Sequence, residues 1–485
     1  MLTQAQQAKK IFNDPSLFAK KYLNSTFWPL QSEIANSICK PHSRTAVKSC
    51  HASGKSYLAS RIALWFIARY KEAIVITTAP TALQVERVMW GEIHTALSGS
   101  GYPYPKANLT ELRLDAKRYA IGFTTSVTNQ NEGVRFQGFH AEHILVILDE
   151  APGIPEKIWN AIEGARSGGD VRVLALGNPT IKGGPYGDAF TRQRSMWNTF
   201  TISAFDTPNL AGLTLETLLA LPDEELDISV SPYLISRRWV RGMYDQWGTS
   251  NPLWQARVLG QFPEQSDQSL ISLAWLERAK YDAVPLEEIK ARTGKHVTAG
   301  IDVAGPGEDE TVLCLRSGKD VFLLKGWADP EPRGQVVAEL LEWWDKIEVI
   351  NVDAIGIGYY FGLHLASLGL PVNLINVTVT GGVDTERYKD LKAQAYWGLR
   401  LRLQSGDVRG DLGDKAVGQL SGILYEHNAR GQILIESKED ARRKRGMKSP
   451  DYAEAVMMAY LEMPDMEEDE ILETSEEEMV QISAY

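Results

Sequence analysis

The sequence is poor in cysteine, and its most apolar runs are short. Its three cysteines, Cys39, Cys50 and Cys314, include no CxxC pair, which argues against a zinc site or a disulfide framework and fits a reducing compartment. Apolar stretches such as Ala73–Ala79 and Ile144–Leu148 have the length of strands, far below the ~20 residues of a membrane-spanning helix. No apolar segment follows the positive charge of the first ten residues, so no signal peptide is expected. We therefore expect a cytoplasmic protein that has no membrane partner.

The negative charge is concentrated in one segment. The formal net charge of −11 at pH 7 by itself counts against a DNA-binding protein. Glu462–Glu478 contains ten acidic residues and no basic one, and without it the chain has 52 acidic and 51 basic residues. A nearly neutral body can carry a basic surface, for which Ala441–Arg445 with Lys448 is a candidate, although a solvated helix end fits that cluster equally well. The tail from Pro464 is expected to be disordered.

The N-terminal half alternates strands with helices, as parallel α/β domains do. Ala73–Thr78 is apolar on both faces, which is typical of a buried strand in a parallel sheet. Tyr119–Thr124, Ile144–Leu148 and Val171–Leu176 repeat this pattern, and Ser56–Tyr70 has apolar residues at helical spacing. We predict an open, mostly parallel sheet.

The pattern changes beyond Pro208, and 485 residues are too many for one core. Helices are predicted over Leu210–Glu225 and Tyr233–Tyr244, and the polar stretch Gln261–Gln268 is a candidate hinge. Three consecutive strands, followed by alternating helices and strands, are predicted next: Val297–Val303, Thr311–Arg316 and Asp320–Lys325. This is the element order of a ribonuclease-H-like domain.

A phosphate-binding loop is indicated by the segment KSCHASGKS, which follows a predicted strand and precedes a predicted helix. Such a loop turns its backbone N–H groups toward phosphates ahead of a helix N-terminus. Ser53 and Gly54 belong to this loop, and Gly54 lets the backbone approach the nucleotide closely. Lys55 reaches the β- and γ-phosphates, and the Ser56 hydroxyl holds Mg²⁺.

Further residues fit an ATP site that uses Mg²⁺. Asp149 and Glu150 end a buried strand, where one carboxylate binds the metal and the other orients or deprotonates the attacking water. Asn178 ends the next strand, at the place of a γ-phosphate sensor. Gln31 lies upstream of the loop, where a glutamine can recognise the adenine edge. With the loop, these residues predict an ATP hydrolase.

An arginine finger is also expected. Arg135 precedes the acidic strand and is the first choice, since an arginine there can reach the γ-phosphate of a neighbouring subunit. Arg166 and Arg172 are alternatives, and an ordinary surface arginine fits each of the three equally well.

Aspartates in the second half form a candidate metal site. Asp302 and Asp353 end two strands, and Asp451 begins a helix for which Ser449 is the predicted N-cap. Carboxylates so placed can converge on two Mg²⁺ or Mn²⁺ ions roughly 4 Å apart, which clamp the attacking and leaving oxygens of a phosphodiester. Singly, each aspartate is explained as a turn former or a first-turn charge. As a set they favour a nuclease, with Glu454 as a possible extra ligand.

The predicted fold class is α/β, with an N-terminal P-loop ATPase on a mostly parallel sheet and a C-terminal ribonuclease-H-like nuclease domain on a mixed sheet. The predicted boundaries are 1–204 for the ATPase core, 205–264 for a helical lid or linker, 265–294 for a hinge, 295–463 for the nuclease and 464–485 for the acidic tail.

In this order the motifs resemble the large terminase subunit of tailed bacteriophages. The resemblance covers nearly the whole chain, through Gln31, the loop ending at Ser56, Thr77–Pro80, Asp149–Glu150, Gly177–Pro179, Asp302, Asp353 and Ser449–Asp451. It implies ATP-driven packaging of double-stranded DNA and endonuclease cutting of concatemers in the host cytoplasm. It also implies a small terminase subunit that recognises the packaging site, a portal protein on which the motor docks, and a five-membered ring.

The chain departs from the family pattern at several positions, and two other functions stay open. Ser49 stands where the general phosphate-loop pattern has glycine, and His51 stands where many relatives have an arginine. Glu454 stands where an aspartate is frequent. One alternative is an ATP-dependent helicase or repair nuclease, which usually has two tandem ATPase cores, whereas this sequence has one phosphate loop. The other is a ring component whose inactive nuclease fold clamps DNA.

Overall fold

The computed structural model describes residues 3–125, 138–263, 268–292, 296–305, 309–328, 332–380, 383–445 and 449–462. The chain forms two compact units, Met1–Glu264 and Gln265–Tyr485. Within the described ranges, no helix is both long and apolar enough to cross a membrane.

Unit 1 begins with helices that have conventional start signals. The side chain of Asp14 caps the second helix by accepting hydrogen bonds from the N–H groups of Ser16 and Leu17 at 2.8 and 3.1 Å. Proline occupies the first position of the second and third helices, where its missing N–H costs no hydrogen bond. These helices are α1 (Gln4–Asn13), α2 (Pro15–Tyr22) and α3 (Pro29–Ser37).

The described part of unit 1 contains a seven-stranded sheet in the order β3-β4-β2-β5-β6-β1-β7. Only β3, beside β4, runs antiparallel to its neighbour, so the predicted mostly parallel sheet is confirmed. Every residue of β2 and β6 is buried, as expected for strands covered on both faces. The strands are β1 (Arg44–Ser49), β2 (Ala73–Ala79), β3 (Glu111–Arg113), β4 (Arg118–Thr124), β5 (His143–Leu148), β6 (Asp170–Gly177) and β7 (Asn198–Ile202).

Helices cover this sheet and continue beyond it. The helix that follows β1 is the most deeply placed, because Leu58–Ala68 are all buried. The first helices are α4 (Lys55–Arg69), α5 (Trp90–Ser98), α6 (Glu156–Ala165) and α7 (Gly184–Asp188), with a π-helical turn at Gln84–Met89 and 3₁₀ turns at Ala151–Gly153, Arg194–Met196 and Ala204–Asp206.

The predicted single helix over Leu210–Glu225 is wrong. Two short helices stand there, α8 (Leu215–Leu219) and α9 (Asp223–Leu226), because Thr214 caps the first and Pro222 lies immediately before the second. The chain then forms α10 (Arg237–Trp247) and α11 (Pro252–Arg257).

Unit 2 contains a mixed sheet, as predicted. In the described ranges its five strands lie in the order β10-β9-β8-β11-β12; β8, β9 and β10 are antiparallel, whereas β11 is parallel to both β8 and β12. The strands are β8 (Val297–Asp302), β9 (Thr311–Ser317), β10 (Asp320–Trp327), β11 (Ile347–Asp353) and β12 (Val372–Ile375), and β13 (Tyr425–His427) pairs with β14 (Ile433–Ile435) as a separate hairpin.

The helices of unit 2 include one that lies unusually close to the sheet. They are α12 (Leu273–Tyr281), α13 (Leu286–Arg292), α14 (Arg333–Leu341), α15 (Ile357–Ser367), α16 (Leu391–Ser405), α17 (Gly413–Gly422), α18 (Lys438–Arg445) and α19 (Asp451–Ala459), with a 3₁₀ turn at Trp344–Lys346. Pro450, and not the predicted Ser449, occupies the N-cap position of α19. A Cβ atom added to Gly300 of β8 would lie 2.2 Å from the carbonyl oxygen of Ala455, so this glycine permits the close contact of α19 with β8.

Candidate active sites

The predicted ATP-site residues meet at one edge of the sheet in unit 1. Strands β5, β6 and β1 are parallel neighbours, so the segments that follow them emerge at the same carboxyl edge. Asp149 follows β5, Asn178 follows β6, and the phosphate loop follows β1. The parallel order of these strands therefore brings residues that are far apart in the sequence to the same edge of the sheet.

The loop has the backbone that phosphate binding requires. Gly54 has a φ of 78°, which residues with a side chain rarely adopt, and a Cβ atom there would lie 2.9 Å from Gln31 Nε2. Ser53 is buried, and α4 starts directly at Lys55. Backbone N–H groups of the loop and the helix N-terminus thus lie together, as an anion site needs.

Five side chains complete the site. The ammonium of Lys55 donates to Asn178 Oδ1 at 3.1 Å and lies 3.8 Å from Glu150 Oε1. The Ser56 hydroxyl donates to Asp149 Oδ2 at 3.2 Å. A hydroxyl and a carboxylate side by side are the oxygen donors that Mg²⁺ prefers, so Ser56 and Asp149 fit the predicted metal.

The electrostatics of the acidic pair also fit a cation site. Asp149 is 3% exposed, and burial together with the negative charge of Glu150 raises its pKa to about 6, although Lys55 acts in the opposite direction. A bound divalent cation would favour the ionised form. Glu150 itself has a left-handed backbone, with φ 47° and ψ 49°, a conformation that is uncommon for a residue with a side chain.

Gln31 contacts the loop from α3, and His51 of the loop contacts a helix outside it. Gln31 is 2% exposed; its Nε2 donates to the carbonyl oxygen of Gly54 at 3.5 Å, and its Oε1 accepts from the N–H of Trp28. Its recognition of adenine therefore stays a prediction. The His51 ring stacks on Trp239 of α10, with centroids 6.0 Å apart and planes at 17°. His51 thus links the loop to a helix beyond the sheet.

The arginine-finger candidates lie in different surroundings. Arg135 falls within 126–137, outside the described residues. Arg166 donates to the carbonyl oxygens of Val171 and His42 at 2.8 and 3.0 Å. Arg172 is 1% exposed and pairs with Asp170 at 2.6 Å. The contacts of Arg166 and Arg172 within their own unit indicate structural roles.

A carboxylate cluster lies in unit 2. Asp302 and Asp353 end the parallel neighbours β8 and β11, and α19 brings Glu454 against them. Asp302, Asp353 and Glu454 each offer a carboxylate oxygen, and these three oxygens lie within 4.8 Å of one another. Among the residues that the structure describes, this group of carboxylates could hold a metal ion. An all-carboxylate donor set fits Mg²⁺ or Mn²⁺. The possible extra ligand, Glu454, is thus a member of this group.

Asp451 lies beside the cluster but outside that group of three. It is 7% exposed, it stands in the first turn of α19, and its Oδ2 accepts a hydrogen bond from the N–H of Glu310 at 3.0 Å. Burial raises its pKa, as it does for Asp353. This backbone hydrogen bond engages Oδ2 alone, so the carboxylate of Asp451 can still take part in binding a cation.

Two lysines that the sequence patterns did not identify neutralise Glu454. The ammoniums of Lys392 and Lys438 lie 2.8 and 2.6 Å from its two carboxylate oxygens. Burial would raise the pKa of Glu454, but the lysines hold it below its usual value. Burial and the charge of Glu454 raise the pKa of Asp302 well above its usual range. Lys392 is 62 residues from Glu454 in the chain, so no local motif reveals the pair.

Large terminase subunits are among the known proteins that this chain resembles. No family model matches the chain. A probable large terminase subunit of Enterobacteria phage P7 is 28% identical over 481 residues, which cover 93% of this chain and 91% of that protein. The crystal structure of the HK97 bacteriophage large terminase aligns with a TM-score of 0.38 at 13% identity, covering 93% of this chain and 99% of that one. The nuclease domain of the large terminase subunit gp2 of bacterial virus Sf6 aligns with a TM-score of 0.34 at 18% identity, covering 40% and 98%. The sequence relative confirms the resemblance to large terminase subunits, since over nearly its whole length this chain is similar in sequence to a probable member of that family.

Proposed function

We propose that this chain is the large subunit of a viral DNA-packaging motor. It hydrolyses ATP to move double-stranded DNA, and it cuts concatemeric DNA with a metal-dependent nuclease. The observation that carries the proposal is the presence of two separate acidic sites in one chain. One consists of a phosphate loop with Asp149 and Glu150, and the other of Asp302, Asp353 and Glu454.

In unit 1 the chain binds and orients the nucleotide. The loop N–H groups and Lys55 bind the phosphates, and Ser56 and Asp149 hold Mg²⁺, which neutralises phosphate charge when bound. Glu150 orients the attacking water and accepts its proton. Asn178, which accepts a hydrogen bond from Lys55, is the proposed sensor of the γ-phosphate.

In unit 2 the carboxylates hold the nuclease metal. Asp302, Asp353 and Glu454 would hold Mg²⁺ or Mn²⁺, with Asp451 adjacent, and the bound metal would supply stabilisation of the charge on the phosphodiester oxygens. The lysines on Glu454 keep this carboxylate ionised and fixed in place. Burial raises the pKa values of Asp302 and Asp353, and a bound divalent cation would favour their ionised forms.

The assembly is proposed from the family resemblance. The motor works as a ring, expected to contain five copies, on the portal protein, and a small terminase subunit brings it to the packaging site in the host cytoplasm. Arg135 is the proposed arginine finger, acting on the nucleotide of the next copy. The proposed activity therefore needs other copies of this chain and two further proteins.

The test is whether substitutions at each site abolish one activity and leave the other intact. Lys55→Ala and Glu150→Ala should abolish ATP turnover and leave Mn²⁺-dependent plasmid cleavage intact, whereas Asp302→Ala and Asp353→Ala should do the reverse. The exposed Asp345, changed to alanine, is the matched control and should alter neither activity.

Each alternative function has its own result. Cleavage that survives Asp302→Ala would refute the nuclease assignment of this carboxylate site, and a wild type that does not cleave would favour the inactive clamp. ATP-dependent strand separation would favour a helicase. ATP turnover that is unaffected by Lys55→Ala would refute the ATPase assignment.

A further inference from the structure

A buried tyrosine beside the carboxylate cluster lacks a hydrogen-bond partner. Tyr396 of α16 is 0% exposed, and its hydroxyl bonds to no described residue. Other buried tyrosines in the chain are satisfied: Tyr460 donates to the carbonyl oxygen of Lys319 at 3.0 Å, and Tyr186 donates to that of Val47 at 2.8 Å. Buried hydroxyls almost always have a partner, so an exception calls for a functional explanation or a bound water.

The position of Tyr396 relates it to the metal site. It lies one helical turn after Lys392, whose ammonium is 6.0 Å from the Tyr396 ring centroid and bonds to Glu454. Burial and the charges of Glu454, Asp302 and Asp451 raise the pKa of Tyr396 well above its usual value. The phenol therefore keeps its proton and can donate a hydrogen bond.

A cavity connects this tyrosine with both lysines. Tyr396, Lys392 and Lys438 line it together with the polar side chains of Gln419 and Glu436 and with smaller or apolar residues, and its volume is about 30 Å³. A water molecule needs roughly 10–15 Å³ of such space and two to four polar partners. The phenol and two ammoniums meet that need.

We propose that Tyr396 is a positioning residue of the carboxylate site, which acts through a water held in this cavity. The water accepts hydrogen bonds from the phenol and from a lysine ammonium, and it acts on Glu454 through the two lysines, whose ammoniums bond to that carboxylate. The lysine pair, and with it Glu454, is thereby held in the arrangement that accepts a divalent cation. This inference rests on the proposed nuclease function.

The test compares Tyr396→Phe with Tyr460→Phe in the full-length chain. Both changes remove one buried hydroxyl, but only Tyr460 loses a direct hydrogen bond to protein. Three quantities are measured: the metal-free melting temperature, Mn²⁺ affinity by electron paramagnetic resonance, and the Mn²⁺ concentration that gives half-maximal plasmid cleavage. Partners that support metal ligands typically change metal affinity by about 10- to 100-fold.

Each variant should change a different one of two properties, Mn²⁺ affinity and melting temperature. Tyr396→Phe should melt at or above the wild-type temperature, bind Mn²⁺ about 10-fold more weakly and require correspondingly more Mn²⁺ for cleavage. Tyr460→Phe should melt lower and bind Mn²⁺ as the wild type does. Unchanged Mn²⁺ affinity in Tyr396→Phe, or a loss of stability without any change in metal dependence, would overturn the inference. A wild type that neither binds Mn²⁺ nor cleaves DNA would overturn the proposed nuclease function itself.

Discussion

Replacing Gly300 by alanine places one methyl group between the strand and the helix that build the carboxylate cluster. The added Cβ would lie 2.2 Å from the carbonyl oxygen of Ala455 and 2.3 Å from the backbone nitrogen of Ala459. Both are backbone atoms of α19, so no side chain can rotate away. The helix must move, and it carries Glu454 toward or away from Asp302.

The size of the effect follows from these distances. Ordinary contact begins at 3.4 Å, so Ala455 has to recede by about 1.2 Å (3.4 minus 2.2) if the strand stays in place. Overpacking of this kind costs about 1–3 kcal/mol of stability. A displacement of about 1 Å at a catalytic group can cost ~10²-fold in rate. We therefore expect Gly300→Ala to lose most of the Mn²⁺-dependent cleavage while a large part of unit 2 stays folded.

Urea denaturation and plasmid cleavage measure the two effects, and ATP turnover by unit 1 serves as an internal reference. Gly398→Ala is the matched control. Gly398 is exposed on α16, and apart from the adjacent residues and backbone of its own helix no atom of the described residues lies within 4 Å of the added Cβ. It should stabilise the protein by about 0.5–1 kcal/mol and leave cleavage unchanged. If Gly300→Ala has normal stability and cleavage, the close contact of α19 with β8 does not set the site geometry.

Three further outcomes are expected. The pKa of Asp149 is about 6 in the folded protein, against 3.8 for an unperturbed aspartate, so the folded state binds more protons between these values and stability falls as the pH rises through them. In metal-free melts, Asp149→Asn should therefore raise the free energy of unfolding by up to about 3 kcal/mol above pH 6, and should not raise it below pH 4. Asn178→Ala removes the partner of the loop lysine and should lower steady-state ATP turnover by ~10²-fold without unfolding unit 1. Lys438→Met leaves buried Glu454 with one cation and should cost about 1–3 kcal/mol in urea denaturation, whereas the same change at the more exposed pair of Lys415 should cost less than about 1 kcal/mol.

Local patterns in the sequence were sufficient for much of the fold. Continuous apolar runs indicated the buried parallel strands, because a strand covered on both faces has no polar side. The sequence-based prediction was wrong at Leu210–Glu225, where the spacing of apolar residues suggested one helix. Thr214 caps one short helix and Pro222 precedes another, so the segment forms two helices. The strand-end positions of Asp149, Asp302 and Asp353 also followed from the sequence, since a strand ends where its apolar run does.

The membership of the carboxylate cluster depended on tertiary structure. Asp451 and Glu454 lie less than one turn apart at the start of the same helix, and periodicity cannot tell which of them faces Asp302. The contact at Gly300 sets the position of α19, the N–H of Glu310 engages Asp451, and Glu454 is left against the strand ends. The sequence alone therefore determined that two acidic sites exist. Only packing determined which oxygens meet, because burial of a carboxylate requires charge partners that the chain supplies from distant segments.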